Sequence, residues 1–178
     1  MLRRLILALA LLLLPAPVLA EGLEGSWALR IDGTTIFRFD LEQAQDGEWQ
    51  GRWTRPESFA SNGEVFMRLA GTMEVASMAG LAIGEAVELS FDDPRPDAIP
   101  DIFRFRLIGD GQAELAYVGT PLRPYPLVRV ARRTPLGPFE DARVYDRDNV
   151  QTVPEPIAEE PEPAPEPTTI DADFLNGL

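Results

Sequence analysis

Apolar and polar residues alternate with a period of two along most of the chain between residues 21 and 133. Trp27, Leu29 and Ile31 share one side of Gly25–Ile31, and Phe37, Phe39 and Leu41 follow with Arg38 and Asp40 opposite. In Glu48–Thr54, Trp49 and Trp53 face away from Gln50 and Arg52. A further strand is expected from Glu64 to about Ala70. Val87, Leu89 and Phe91 then alternate with Glu88 and Ser90, and Phe103, Phe105 and Leu107 with Arg104 and Arg106. Ala113–Val118 and Leu127 to Arg132 close the set. Period two puts successive side chains on opposite faces of a strand, so each segment predicts a strand with one apolar face.

Asp32-Gly33, Asp46-Gly47, Asn62-Gly63 and Gly109-Asp110-Gly111 sit between these runs as hairpin turns. Roughly eight strands joined by tight turns, without a helical period among them, read as an all-β domain over residues 21–133. The linear run of hairpins favours an antiparallel up-and-down barrel, which removes exposed sheet edges by closing on itself. A β-sandwich is the alternative. Thr72–Gly84, rich in small residues, and the proline-rich Asp92–Asp101 stretch carry weak patterns. In the extension 134–150, Pro138 followed by Phe139–Arg147 predicts a short helix with Phe139, Ala142 and Tyr145 on one side.

The two ends of the chain differ from this body. Residues 1–20 hold Arg3 and Arg4, an apolar run from Leu5 to Leu14, and Val18-Leu19-Ala20 before Glu21. That order is a secretory signal peptide, and ten apolar residues cover only about 15 Å as a helix, half a hydrocarbon core. The expected product is exported to a periplasm or the extracellular space, with no membrane span in the mature chain. Residues 151–178 hold six Pro, seven Asp or Glu and no Arg. Repeated Pro and like charges predict a disordered, extended acidic spacer. It ends in Ile170 to Leu178, whose four apolar residues could dock on a protein partner or simply fray.

Composition narrows the chemistry. Cys, His and Lys are absent, and all 16 basic residues are Arg. No disulfide, Cys–His or Ser–His–Asp nucleophile system or Schiff-base lysine can be built, and no catalytic, cofactor or metal residue is assigned. The net charge of −13 argues against nucleic acid as a partner. Asp92, Asp93, Asp97 and Asp101 are the densest acid cluster, read as solvated acids on a stiff turn. Arg104, Arg106, Arg123, Arg129, Arg132 and Arg133 could meet an anion, or pair with acids on neighbouring strands.

Each Trp follows a Gly by two positions, in Gly25-Ser26-Trp27, Gly47-Glu48-Trp49 and Gly51-Arg52-Trp53. A Gly there leaves room for an indole, or lets the strand bend at a barrel corner. Gly25-Ser26-Trp27 on the first strand, with arginines near the end of the last, resembles the lipocalin and calycin pattern. Trp27–Pro56 is similar to small lipocalin-like domains of exported bacterial proteins. The resemblance implies that Trp27 packs under Arg129 or Arg132 and plugs one end of a barrel, giving Gly25, Trp27, Arg129 and Arg132 as the structural signature.

Three readings of function follow. The first is a non-catalytic binding or accessory protein whose aromatic faces hold a small apolar ligand, the ligand-binding residues being open. The second is an adaptor acting through the Pro/Glu-rich tail and the outer barrel face. The third is a hydrolase working with carboxylates alone.

Overall fold

The computed structural model describes residues 22–92 and 98–156. The expected signal peptide, Asp93 and Asp97, and the Ile170 to Leu178 segment lie outside the described residues. The protein is all-β, and its main body is a closed antiparallel barrel of eight strands. In chain order the strands are β1 (Gly25–Ile31), β2 (Thr34–Gln43), β3 (Trp49–Arg55), β4 (Ser58–Ser61), β5 (Val65–Ala70), β6 (Met73–Ile83), β7 (Ala86–Phe91), β8 (Asp101–Gly109), β9 (Gln112–Tyr117), β10 (Tyr125–Val130) and β11 (Val144–Asp146). Around the barrel they run β1-β10-β9-β8-β7-β6-β3-β2, and β11, β5 and β4 form a separate three-stranded sheet.

The order is up-and-down with one excursion. β1, β2 and β3 form a meander, the chain leaves to make the β4–β5 hairpin, and β6 returns beside β3. Closure comes from β1 against β10, with Trp27 opposite Arg129. The turn between β1 and β2 has left-handed φ at both central residues, 51° at Asp32 and 76° at Gly33. That is the geometry whose twist matches a two-residue hairpin.

Strand number and closure agree with the expectation, but one strand has been exchanged. The segment Glu64 to Ala70, expected in the barrel, becomes β5 of the small sheet. Its barrel place is taken by β6, which is half-buried on one face over Met73–Ser77, mostly exposed beyond it and bulged at Ser77/Ala79. Gly80 explains the small residues: a Cβ there would sit 1.9 Å from the Trp49 carbonyl oxygen. No larger residue fits without moving β6 away from β3.

The expected helix after Pro138 is absent. Ala142 takes a left-handed φ of 64°, and Val144–Asp146 pair with β5, so only Arg147–Asn149 close a single 3₁₀ turn. Tertiary hydrogen bonds outcompete a local helix here: Gly137 N donates to Thr35 O and Arg147 N to Glu64 O. Residues 131–150 therefore form a strap that climbs the outside of β1 and β2 and ties the barrel to the small sheet. Arg38, 6% exposed, fixes it by donating to Thr134 O and Thr54 Oγ1 while pairing with Asp40.

The first residues expected in the spacer are held against the barrel. Gln151 N donates to Arg30 O, Thr152 O accepts from Gln112 Nε2, and Glu155 pairs with Arg30 at 2.8 Å. Residues 151–156 belong to the barrel surface, because Arg30 and the β8–β9 turn supply partners that composition alone does not show.

The core is the barrel interior. Phe39 stacks on Trp53 at 5.9 Å and meets Phe103 and Phe105 edge-on at 5.6 and 5.2 Å. Edge-on and offset rings suit the aromatic quadrupole, so these contacts add to the burial that holds a disulfide-free domain together.

Candidate functional site

The two barrel ends are finished differently. At the end where β1 starts, Gly22 to Glu24 cross the opening and Leu23 is fully buried. Trp27 lies over them, donating from Nε1 to Leu23 O at 2.7 Å. The Arg129 guanidinium stacks 4.4 Å from the Trp27 ring centre and donates to Glu24 O and Gly22 O. Gly25 has φ 122°, and a Cβ there would meet Arg129 Nη1 at 2.5 Å. The space this Gly provides is therefore for the arginine, while Gly51 makes room for Leu89. Of the four signature residues, the structure joins Gly25, Trp27 and Arg129. Arg132 sits exposed in the turn after β10.

At the opposite end the β4–β5 hairpin leans over the mouth without filling it. Below it is a concavity of about 680 Å³ whose floor is Phe39, Trp53, Phe103 and Leu115. Phe37, Phe59 and Phe66 form one wall, with Phe37 5.4 Å from each of the other two rings. Tyr117 and Tyr125 face them. The interior is thus packed solid through its lower part and concave at the top.

A few polar groups are set into this wall. Arg55 follows Trp53 by two positions on β3 and so points inward. Its guanidinium lies 5.1 Å from the Trp53 ring centre and 5.9 Å from that of Phe59. Nη1 donates to Pro56 O at 3.3 Å. Arg55 Nε and Trp53 Nε1 are both buried and, among the described residues, have no hydrogen-bond partner. The Tyr117 hydroxyl donates to Asp101 Oδ1, and Glu57 lies on the rim. Burial pushes the Tyr125 hydroxyl above its ordinary pKa, with the Arg147 charge acting the other way. That hydroxyl donates to Gly63 O at 2.9 Å.

The hairpin is held over the mouth by Arg147. This side chain is 6% exposed, stacks 4.3 Å from the Tyr125 ring, and donates to the carbonyls of Arg123 and Pro124. The strap, the hairpin and the β9–β10 loop thus meet at one cation.

The sequence-level candidates fall into place unevenly. Phe37, Phe39, Trp53 and Phe103 line the concavity, whereas Trp27, Trp49, Phe91 and Phe105 are buried away from it. Arg104 and Arg106 pair across strands with Glu88 and Glu114, and Arg123 with Glu64. Asp92 is exposed at the end of β7, while Asp101 is bound to Tyr117. No group of three acids able to hold a metal occurs among the described residues. Arg55, Tyr117 and Tyr125 were missed. Continuing the alternation one step beyond Trp53, Leu115 and before Leu127 would have found all three.

A second concavity of about 630 Å³ lies on the outer face, lined by Arg38, Asp40, Arg52, Glu74 and Arg132 among others. Arg38 pairs there with Asp40 and Glu74, and Arg52 with Glu74. The groove is mostly polar, and Arg38 is already occupied in holding the strap.

The fold and these two ends define an eight-stranded closed β-barrel, plugged at one mouth and concave at the other. No family model, curated protein or solved structure matches the chain.

Proposed function

We propose that the protein is an exported, non-catalytic binding protein of lipocalin-like type that takes a small apolar ligand in the aromatic mouth of its barrel. The observation that carries this reading is the concavity over Trp53 and Phe103. Its size and its apolar wall with few inward polar groups are those of a small-molecule site. The stacked Trp27–Arg129 plug at the other end supports the lipocalin-like comparison. A composition without Cys, His or Lys supports binding over catalysis. The leader expected in residues 1–20 supports export.

N-phenyl-1-naphthylamine, a neutral apolar fluorophore, tests the site. Saturable one-to-one enhancement, with quenching of tryptophan emission through Trp53, is the expected result. A linear, unsaturable response would remove the reading.

The adaptor alternative has one observation in its favour: Thr152 and Glu155 are pinned to the barrel, so a spacer beyond Glu155 starts from a fixed point. Deleting residues 157–178 tests it. The adaptor reading requires loss of a stoichiometric partner from protein purified out of its own host, and retention of that partner refutes it.

A further inference from the structure

β6 outruns one of its two neighbours. On one side β7 pairs with it from Ser77 to Ile83. On the other, the ladder to β3 covers only Met73 to Ala76, opposite Arg55 to Arg52. The next β3 amide, that of Gly51, donates to the Ser77 side chain, and the bulge at Ser77/Ala79 bends the strand at this point. From Ser77 onward, one edge of β6 therefore has no ladder partner among the described residues.

The protein blunts its other sheet edges. β4 and β11, the outer strands of the small sheet, have four and three residues, and Glu57, Asp146 and Arg147 stand in or beside them. Short, charged edges resist pairing with a further strand. β6 has no such guard, since Val75–Gly84 contains neither charge nor proline. Met78, Leu81 and Ile83 on it are 55%, 62% and 44% exposed, and the β7–β8 register brings exposed Ile108 beside the β6–β7 turn. These four are the majority of the seven large apolar side chains exposed among the described residues, so the patch is a local feature of this edge. A row of free backbone groups flanked by apolar side chains is a template for one more strand.

We propose that this edge is where two copies of the chain meet, β6 against β6, antiparallel about a two-fold axis near Leu81. Two properties make a second copy the occupant. Antiparallel pairing of a segment with itself is isologous, so one contact fills both free edges and the assembly closes as a dimer. The chain also carries −13, so copies repel over most of their surface, and the uncharged run on β6 is where they can approach without opposing like charges. An axis at Leu81 sets that residue against its own counterpart and Ile83 against Ala79, apolar opposite apolar. The free edge runs only from Ser77 to Ile83, well short of the roughly 20–30 residues a side of a standard interface. A dissociation constant on the order of 10–100 μM is therefore expected.

Sedimentation equilibrium from about 1 to about 300 μM, with amide hydrogen exchange at both ends of that range, tests this. A monomer–dimer equilibrium is expected, and it should tighten when salt screens the net charge. Amides between Met78 and Ile83 should gain protection as the dimer forms. Leu81→Lys puts a charge on an already exposed side chain, so it should weaken association by about tenfold or more and leave the melting temperature of dilute protein unchanged. A monomer throughout, open-ended oligomers in place of a dimer, or a dimer of undiminished affinity in Leu81→Lys would overturn the proposal. So would edge amides equally protected at both concentrations, because another segment of the same chain then covers β6. The wild-type measurements decide without the variant, and all of them are independent of the apolar site.

Discussion

Trp27 with Arg129 and Trp53 with Arg55 are the same pair of residue types at opposite ends of one barrel, and they are finished differently. At the plugged end, indole Nε1 and both terminal guanidinium nitrogens reach carbonyl oxygens of Gly22 to Glu24. At the concave end, the indole and Nε of the guanidinium have no acceptor among the described residues. A stacked cation therefore says little by itself about role. The plug completes a core, whereas the mouth leaves two buried donors without an acceptor among the described residues.

The largest effect should separate the two tryptophans. Trp27→Ala removes a fully buried indole from a filled end, and about 3–5 kcal/mol of stability should be lost in urea unfolding. Trp53→Ala borders space that is already partly empty, so its cost should fall at or below about 3 kcal/mol. A larger loss at Trp53 than at Trp27 would break the contrast. Added volume should show the same asymmetry. Gly80→Ala drives a Cβ to 1.9 Å from the Trp49 carbonyl and should cost about 3 kcal/mol or prevent folding. Leu122→Phe, on the wall of the concavity, should stay within about 1 kcal/mol.

The arginines sharpen the comparison further. Arg129→Met sacrifices two carbonyl hydrogen bonds and the stack on Trp27, an expected loss of about 2 kcal/mol. Arg55→Met deletes a half-buried cation that no carboxylate pairs with among the described residues. The change should lie within about 0.5 kcal/mol of zero, or be stabilising. Thermal melts of the two variants beside wild type decide this. Equal losses would mean that Arg55 is structural after all.

The barrel was legible because alternation survives in the sequence: Phe103 and Phe105 are buried on β8 while Arg104 and Arg106 are exposed, and β2 keeps the same pattern of residue types although the strap covers Arg38. Where the sequence itself did not alternate, the reading failed. β6 is largely exposed and held by the close approach at Gly80, a constraint that leaves small residues and no period. β5 alternates well, yet its apolar face serves the hairpin over the mouth, and periodicity cannot say which sheet a strand joins. The strap from residue 131 to 150 takes its shape from partners far along the chain, Thr35 and Glu64 among them, so its local helical signal was overridden. The candidate site needed a property no pattern carries, which is whether inward aromatic rings meet in the middle or leave a gap. Arg55 was nonetheless within reach of the two-residue period that had already picked out Trp53.

The smallest expected effect concerns the end of the strap. The Glu155 carboxyl is held below its ordinary pKa by its hydrogen bond to Arg30 and then by the Arg30 charge. A carboxylate depressed in the folded state stabilises its contact above the unfolded pKa, and that contribution is lost as pH falls through the folded value. The pair is exposed to solvent, so its loss should loosen residues 151–155 locally and leave the barrel intact. The protection factor of the Gln151 amide, which donates to Arg30 O at 2.8 Å, reports this contact. It should fall in wild-type protein between neutral pH and about pH 3. In Glu155→Gln it should be low already at neutral pH and nearly flat on acidification. Protection that stays flat in wild type would mean that the backbone bonds of Gln151 and Thr152 alone fix the segment.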